Sequence, residues 1–245
     1  MSLNPIAAVV TDAVNAVLLV VGSNRSKKSL FLKKTLLPFA ANELFANIND
    51  RMQSSDDVSV GQYSCNVGLS CFEIQDEVVT DLLRPNNRGL SVGISETEVG
   101  IGVKGIHREV ISAHGEVELR RMLADACDNR CCHTLPVGGS IDTSSAIFEF
   151  TVFQTDNTSS GSKQCESRFL VVDIASMDPL VPSPEGSDDS YAVQLEGVHL
   201  HKSLITLVDV VKKMSSATRS STAPFRNSVL THFLTEVTIS NLVFY

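Results

Sequence analysis

The sequence has no tryptophan and only 3 tyrosines among its 245 residues. Aromatic residues make up 6% of the chain, so its hydrophobic core must be built mainly from aliphatic side chains. Hydrophobic residues nevertheless account for 43% of the sequence, which excludes a wholly disordered chain. A chain of this length is long enough to form one large domain with a substantial buried core.

The sequence also lacks an excess of positive charge. Its 20 Lys and Arg residues are outnumbered by 28 Asp and Glu residues, which gives a formal net charge of −8 at pH 7. A protein that binds nucleic acid needs a basic face to displace counterions, so we expect no nucleic-acid partner. Any acidic partner surface must be met by a local basic patch that acts against the overall field.

No hydrophobic run is long enough to cross a membrane. The longest early run, Ala13 to Val21, is interrupted by Asn15, and no basic segment of the kind that opens a signal peptide precedes it. We therefore expect no membrane partner, and we interpret residues 16–21 as a buried strand.

Cysteine is sparse, and its spacing indicates neither a disulfide framework nor a zinc site. In a long chain without a secretory signal, scattered cysteines favour reduced thiols in the cytoplasm. The densest group fits no common zinc spacing, because adjacent cysteines are awkward ligands for one ion. That group comprises Cys127, Cys131, Cys132 and His133.

Hydrophobic periodicity predicts an α/β fold in which buried strands alternate with helices. Residues 77–83 are expected to form a short helix or turn, and residues 155–164 a Ser/Gly-rich loop. Helices are predicted at residues 5–14, 36–48, 115–126, 193–214 and 227–236, and strands at residues 16–21, 67–74, 148–153 and 168–174, with a last strand beginning near 242.

Five segments, in order along the chain, resemble motifs of the kinesin motor domain family. Leu37-Pro38 with Leu44-Phe45 resembles the "IIPR…LF" helix, and residues 72–83 resemble the "LEIYNE…DLL" strand and turn. The other three are residues 171–178, which resemble "LVDLAGSE", residues 197–204, which resemble "INKSL", and residues 223–231, which resemble "VPYRDSKLT".

The resemblance implies a kinesin-like P-loop NTPase fold with a mainly parallel central sheet flanked by helices. It covers nearly the whole chain, so we expect residues 1–245 to form one divergent motor-like domain. The family's N-terminal strands and its adenine-binding "RxRP" segment have no counterpart here. The domain is therefore expected to be incomplete at its N-terminus.

By the resemblance, residues 22–29 stand where the family has the phosphate-binding loop "GQTGSGKT". Gly22, Lys28 and Ser29 match the first glycine, the phosphate lysine and the magnesium-binding hydroxyl. Arg25 and Lys27 replace the two inner glycines, whose backbone N–H groups converge on phosphate in the family. The segment is either a residual anion site or a basic turn that binds nothing specific, and the lost glycines favour the second interpretation.

The two switch motifs are also altered. In the family's "NxxSSRSH" motif only Ser144 matches, and the position of the arginine that closes the site is Thr143, which cannot pair with Asp178. Asp173 is kept as the magnesium-side carboxylate, although an aspartate at a strand end can equally cap a turn. Ser176 replaces the glycine that senses the γ-phosphate. Magnesium would therefore use Ser29 and Asp173 only if nucleotide binds, hydrolysis is not expected, and no catalytic residue is assigned.

The segment 174–201, which resembles the second switch loop, contains five acids and no Lys or Arg. Microtubule contacts would therefore depend on basic residues around the predicted long helix, although lysines at a helix end are equally typical of an ordinary solvated surface. The candidates are Lys202, Lys212, Lys213, Arg219 and Arg226.

These features together predict a kinesin-like cytoskeletal protein of the cytoplasm with a degenerate nucleotide site. Its expected partners are microtubules or another kinesin-like chain, and ATP with Mg²⁺ is a doubtful cofactor. Two alternatives stay open: an active ATP-dependent microtubule motor, and an interaction module that binds neither nucleotide nor tubulin.

Overall fold

The computed structural model describes twelve segments of the chain, and the helices and strands below lie within them. The described residues are 4–23, 27–54, 63–75, 77–85, 93–97, 100–130, 133–134, 140–141, 144–158, 161–176, 202–213 and 224–235.

Helices occupy both ends of the described chain and two segments between them. They are α1 (Pro5–Thr11), α2 (Lys28–Phe31), α3 (Leu37–Ser54), α4 (Glu116–Asp128), α5 (202–213) and α6 (Val229–Phe233). A π-helical turn, Leu32–Leu36, joins α2 to α3, and a 3₁₀ turn, Phe225–Asn227, precedes α6. None of the helices in the described segments combines the length and the hydrophobicity of a membrane-spanning helix.

The strands fall into one large sheet and two short hairpins. They are β1 (Ala16–Val20), β2 (Tyr63–Gln75), β3 (Val78–Asp81), β4 (Gly93–Thr97), β5 (Gly100–Lys104), β6 (Glu109–Ser112), β7 (His133–Thr134), β8 (Ser140–Ile141), β9 (Ser145–Thr158) and β10 (Gly161–Asp173). The large sheet has the order β1-β10-β9-β2-β3, with β6 also paired to β2. The pairs β4–β5 and β7–β8 form the separate ladders.

The α/β prediction is confirmed, but the central sheet is mixed rather than mainly parallel. β1 pairs with β10 in parallel, whereas β10–β9, β9–β2, β2–β3 and β2–β6 are antiparallel. Only residues 159 and 160 separate β9 from β10, and a connection this short can join only antiparallel neighbours.

Two local predictions are wrong for the same reason. The segment 77–83 contains strand β3 where a short helix or turn was predicted, because Glu77 turns the chain, with φ 63°, and directs it back along β2. The predicted loop 155–164 is largely strand, since β9 continues to Thr158 and β10 begins at Gly161. In both places the strand is stabilised by hydrogen bonds to a neighbouring strand, and local sequence does not reveal that partner.

Both faces of the sheet are buried, as the continuous apolar runs in its strands predict. On β10, Phe169 and Val171 face the layer formed by α1, α3 and α4. Leu170 and Val172 face the opposite layer, to which α5 and α6 contribute. The alternation follows the two-residue period of a strand and places the core on both sides of β10.

The π-helical turn keeps one side of the α2–α3 segment against the core. Leu32 and Leu37 are five residues apart and would point in different directions along a regular α-helix. The wider turn between them brings both side chains to the buried face, where each is only 1% exposed.

Candidate functional site

The candidate site lies where β1 and β10 end. Because these neighbours are parallel, their carboxyl ends meet at one edge of the sheet. β1 leads through Gly22 to α2, which begins at Lys28, and β10 ends at Asp173. Lys27, directly before α2, adopts the left-handed conformation with φ 56°, which favours glycine.

Lys28 and Asp173 meet as a buried ion pair at this edge. Lys28 Nζ lies 2.7 Å from Asp173 Oδ1, and the two side chains are 4% and 0% exposed. The same ammonium group donates a hydrogen bond to the backbone carbonyl of Ile174. The lysine is thus directed at the end of β10 and held there by two oxygen acceptors.

A second cation reaches the same carboxylate from the end of α4. Arg130 Nη1 lies 2.5 Å from Asp173 Oδ2, and Arg130 Nη2 donates to the backbone carbonyl of Ser144 at 3.1 Å. The Ser144 hydroxyl in turn donates to Glu73 Oε2 at 2.7 Å. We call these residues, Lys28, Glu73, Arg130, Ser144 and Asp173, the charged network.

The charged network is electrically balanced when all its groups are ionised. It contains two cations, Lys28 and Arg130, and two carboxylates, Glu73 and Asp173. Buried charges are tolerated when they are paired with opposite charges. Lys28 and Arg130 both form ion pairs with Asp173, although the buried Oδ1 atom of Asp173 accepts no hydrogen bond within the described residues.

The structure brings together some of the residues that were predicted to bind nucleotide. Lys28, Ser144 and Asp173 belong to the charged network, and Ser176 is buried three residues beyond Asp173. Gly22 and Ser29 lie half-buried on either side of the turn. Arg25, Thr143 and Asp178 are outside the described residues.

The motif comparison did not assign roles to two members of the charged network. Glu73 stands in the strand motif and Arg130 at the end of α4, far from Asp173 in sequence. The available signal was weak: an acid within the buried strand β2 needs a partner, but the sequence does not say which one.

The predicted microtubule candidates lie around α5 and the turn before α6. Lys202, Lys212, Lys213 and Arg226 are exposed, and Arg219 is outside the described residues. The two ends of α5 are separated by about 17 Å at the rise of an α-helix, so these cations do not form one compact cluster.

Glu77 ties one end of α5 to α6. Its Oε1 accepts a hydrogen bond from Ser203 Oγ at 3.0 Å, and its Oε2 accepts one from the Val229 backbone N–H at 2.7 Å. The β2–β3 turn therefore fixes the relative position of the elements that carry Lys202 and Arg226.

The cysteine-rich segment is only partly described, since Cys131 and Cys132 lie outside the described residues. Burial raises the pKa of the Cys127 thiol to about 11. In the part of the chain that the structure covers, no group of three or more His, Cys, Asp or Glu side chains is placed to hold a metal ion.

The profile of the kinesin motor domain matches residues 3–242, so the chain belongs to the kinesin motor domain family. Among characterised relatives, it is 27% identical over 225 residues to the rice (Oryza sativa subsp. japonica) kinesin-like protein KIN-7A. It is 28% identical over 239 residues to kinesin-related protein 1 of Dictyostelium discoideum. These matches cover 90% and 92% of this chain but only 22% and 10% of the relatives, so the chain corresponds to a small part of each.

Solved kinesin structures share the fold. A KIF14 dimer bound to AMP-PNP and a microtubule superimposes with a TM-score of 0.79 at 23% identity, over 97% of this chain and 67% of that chain. The motor and motor homology domain of Kar3Vik1, fused to a synthetic heterodimeric coiled coil, gives 0.75 at 19% identity, over 98% and 60%. Both the predicted family and the predicted fold class are confirmed.

Proposed function

We propose that this chain is a kinesin-like cytoskeletal protein that uses the motor fold as a binding scaffold and has a degenerate nucleotide site. The observation that supports this proposal is the pairing of the site's own charges. In the family, the lysine of the phosphate-binding loop meets phosphate and the aspartate of the second switch faces magnesium. Here Lys28 and Asp173 neutralise each other at 2.7 Å within the buried charged network.

The residues present fit a self-paired site better than a Mg²⁺–ATP site. To meet phosphate, Lys28 would have to leave both Asp173 and the Ile174 carbonyl. Ser29 and Asp173 could hold Mg²⁺ only after that pairing was given up. Lys27 also places a side chain where the family motif has glycine, in a backbone conformation that disfavours one.

The proposed partners are microtubules or another kinesin-like chain, with residues 1–245 acting as one divergent motor-like domain in the cytoplasm. The KIF14 structure is a complex with a microtubule, and the Kar3Vik1 structure joins a motor to a motor homology domain. The exposed cations of α5 and the α6 turn are the candidate contacts in this chain.

Titration with a fluorescent ATP analogue in the presence of Mg²⁺ tests the nucleotide claim. We expect no saturable binding in the micromolar range, and no difference between the wild type and Lys28→Ala. Lys33→Ala is the matched control, because Lys33 follows closely in sequence but pairs with the exposed Asp128. Magnesium-dependent micromolar binding that Lys28→Ala abolishes and Lys33→Ala preserves would instead establish a working nucleotide site.

Co-sedimentation with microtubules at increasing salt tests the partner claim. We expect pelleting at low salt that weakens as salt screens the contact, and a further loss in the double variant Lys202→Ala/Arg226→Ala. Lys163→Ala, an exposed site on β10, serves as the control. A chain that stays in the supernatant even at low salt would remove microtubules from the proposal.

A further inference from the structure

In one stretch of this acidic protein, every charged residue is basic. Between Asp12 and Glu43 the chain contains no acidic residue, whereas the whole sequence contains 28 Asp and Glu. The basic residues of the stretch are Arg25, Lys27, Lys28, Lys33 and Lys34. The region therefore carries a local positive field within a protein of net charge −8.

The lysines of this stretch differ in what they face. Lys28 is buried against Asp173, and Lys33 forms an ion pair with Asp128 of α4. Lys27 and Lys34 are exposed on the outer side of the α2–α3 segment. Two positive charges are thus presented to solvent, one directly before α2 and one in the π-helical turn that follows it.

Large apolar side chains share that outer side. Leu30, Phe31 and Phe39 are 49%, 52% and 55% exposed. Leu30 and Lys34 are about one turn apart and share one side of the segment, and Phe31 and Phe39 are about two turns apart and share the adjacent side. The exposed surface therefore carries an apolar and basic stripe next to an aromatic stripe. Two half-exposed phenylalanines and a leucine so close together present apolar surface that a partner can bury.

We propose that this face, formed by Lys27, Leu30, Phe31, Lys34 and Phe39, binds an acidic amphipathic peptide segment of a partner protein. The exposed rings and Leu30 fit aliphatic or aromatic side chains repeated at helical spacing. The lysines fit carboxylates that flank those side chains, so charge complementarity selects an acidic partner.

The same face is a poor match for nucleic acid. Two exposed lysines can neutralise few phosphates, and the net charge of −8 opposes a polyanion at longer range. A carboxylate-bearing peptide needs fewer contacts of that kind, because burial of its apolar side chains supplies most of the affinity. The inference does not depend on microtubule binding and stands apart from the proposed function.

Fluorescence anisotropy with a labelled designed peptide tests the inference. The probe is a helical peptide with leucines at positions i, i+3 and i+7 and glutamates beside them, and its control is a scrambled peptide of identical composition. We expect the ordered peptide to bind, and the double variant Phe31→Ser/Phe39→Ser to weaken binding at least about tenfold. Val117→Ser on α4, where Val117 is 82% exposed, should leave binding unchanged.

A charge-swap experiment tests the role of the lysines. The double variant Lys27→Glu/Lys34→Glu should lose the acidic peptide and gain a peptide in which lysines replace the glutamates. Because all four substituted side chains are exposed, circular dichroism and thermal unfolding should match those of the wild type.

Several results would overturn the inference. They are equal binding of the ordered and scrambled peptides, unchanged affinity in the phenylalanine variant, and failure of the charge swap. Binding to phosphatidylserine vesicles without binding to the peptide would assign the face to an anionic membrane surface instead.

Discussion

Two buried polar networks lie toward opposite ends of the central sheet, and they differ in how their groups are satisfied. The charged network at the carboxyl end of β10 consists mainly of full charges that neutralise one another. The second network surrounds Gln154 on β9, whose register partner Cys165 is eight residues before Asp173. At the rise of an antiparallel strand, the two networks are roughly 27 Å apart.

The second network, which we call the amide network, contains one ion pair, between Arg51 and Asp156 at 3.8 Å, and is otherwise built from neutral groups. Gln154 Oε1 accepts hydrogen bonds from Arg51 Nη1 and the Tyr63 hydroxyl, both at 2.9 Å. The Arg51 guanidinium also lies 4.8 Å from the centre of the Tyr63 ring. Ser167 Oγ donates to the Val9 carbonyl at 2.7 Å, which ties α1 to β10.

This difference distinguishes the candidate functional site, which holds the charged network, from the amide network, which only connects secondary-structure elements. The amide network joins α1, α3 and three strands mainly through neutral groups, and its one ion pair is partly exposed, which makes its buried polar atoms inexpensive to satisfy. The charged network keeps ionised groups in the interior, where desolvation is costly, and includes Lys28, Ser144 and Asp173, which the motif resemblance matches to nucleotide-binding positions. This pairing of charges is the basis of the proposal that the site no longer needs a ligand.

The largest effect should come from removing the shared carboxylate of the charged network. Asp173→Ala leaves the buried Lys28 and Arg130 side chains without their anion, which should lower the free energy of unfolding by about 3–5 kcal/mol. Urea denaturation measures the loss. Asp128→Ala removes an exposed partner of Lys33 and should cost no more than about 1 kcal/mol. Equal stability of the two variants would show that the charged network is not a stabilising unit.

An intermediate effect on the free energy of unfolding should come from raising the pH, because the Cys65 thiol beside the amide network then ionises more readily in the unfolded chain. Burial raises the pKa of the Cys65 thiol from 9.0 to about 11. The unfolded thiol therefore ionises first, and a contribution fully present below pH 9 is lost as pH rises toward 11. The loss should be on the order of 2 kcal/mol. Urea titrations at increasing pH measure this loss, and the wild type should lose that much free energy of unfolding relative to Cys65→Ala. Parallel pH curves of the two proteins would contradict the assignment of the loss to Cys65.

The smallest effect should come from relieving backbone strain at the two ends of β1. Lys27 has φ 56° next to the charged network, and Ala13 has φ 52° at the other end of the strand. Glycine accepts this conformation, so Lys27→Gly and Ala13→Gly should each raise the free energy of unfolding by about 1 kcal/mol. Thermal unfolding measures both. A loss of stability in Lys27→Gly alone would mean that the lysine side chain makes a contact that outweighs its strain.

The elements that the sequence predicted correctly are those whose apolar residues recur in a regular pattern. The runs in β1 and β10 and the helical spacing in α3 predicted their elements, because burial on a sheet face or a helix stripe imposes a regular pattern. The β2–β3 and β9–β10 hairpins were missed for different local reasons, because β3 is only four residues long and the start of β10 is polar and exposed. Their pairing depends on a neighbouring strand, which local sequence cannot show.

Local sequence patterns were enough to recognise the family, the buried strands and the loss of the inner glycines at Arg25 and Lys27. They were enough because apolar periodicity and glycine's backbone freedom are local properties. The pairing of Lys28 and Arg130 with Asp173 became visible only in the folded chain, because residues from three distant segments meet there. Only the fold, likewise, placed Phe31 and Phe39 with Lys34 on an outward face, since the π-helical turn sets which side of that segment is buried.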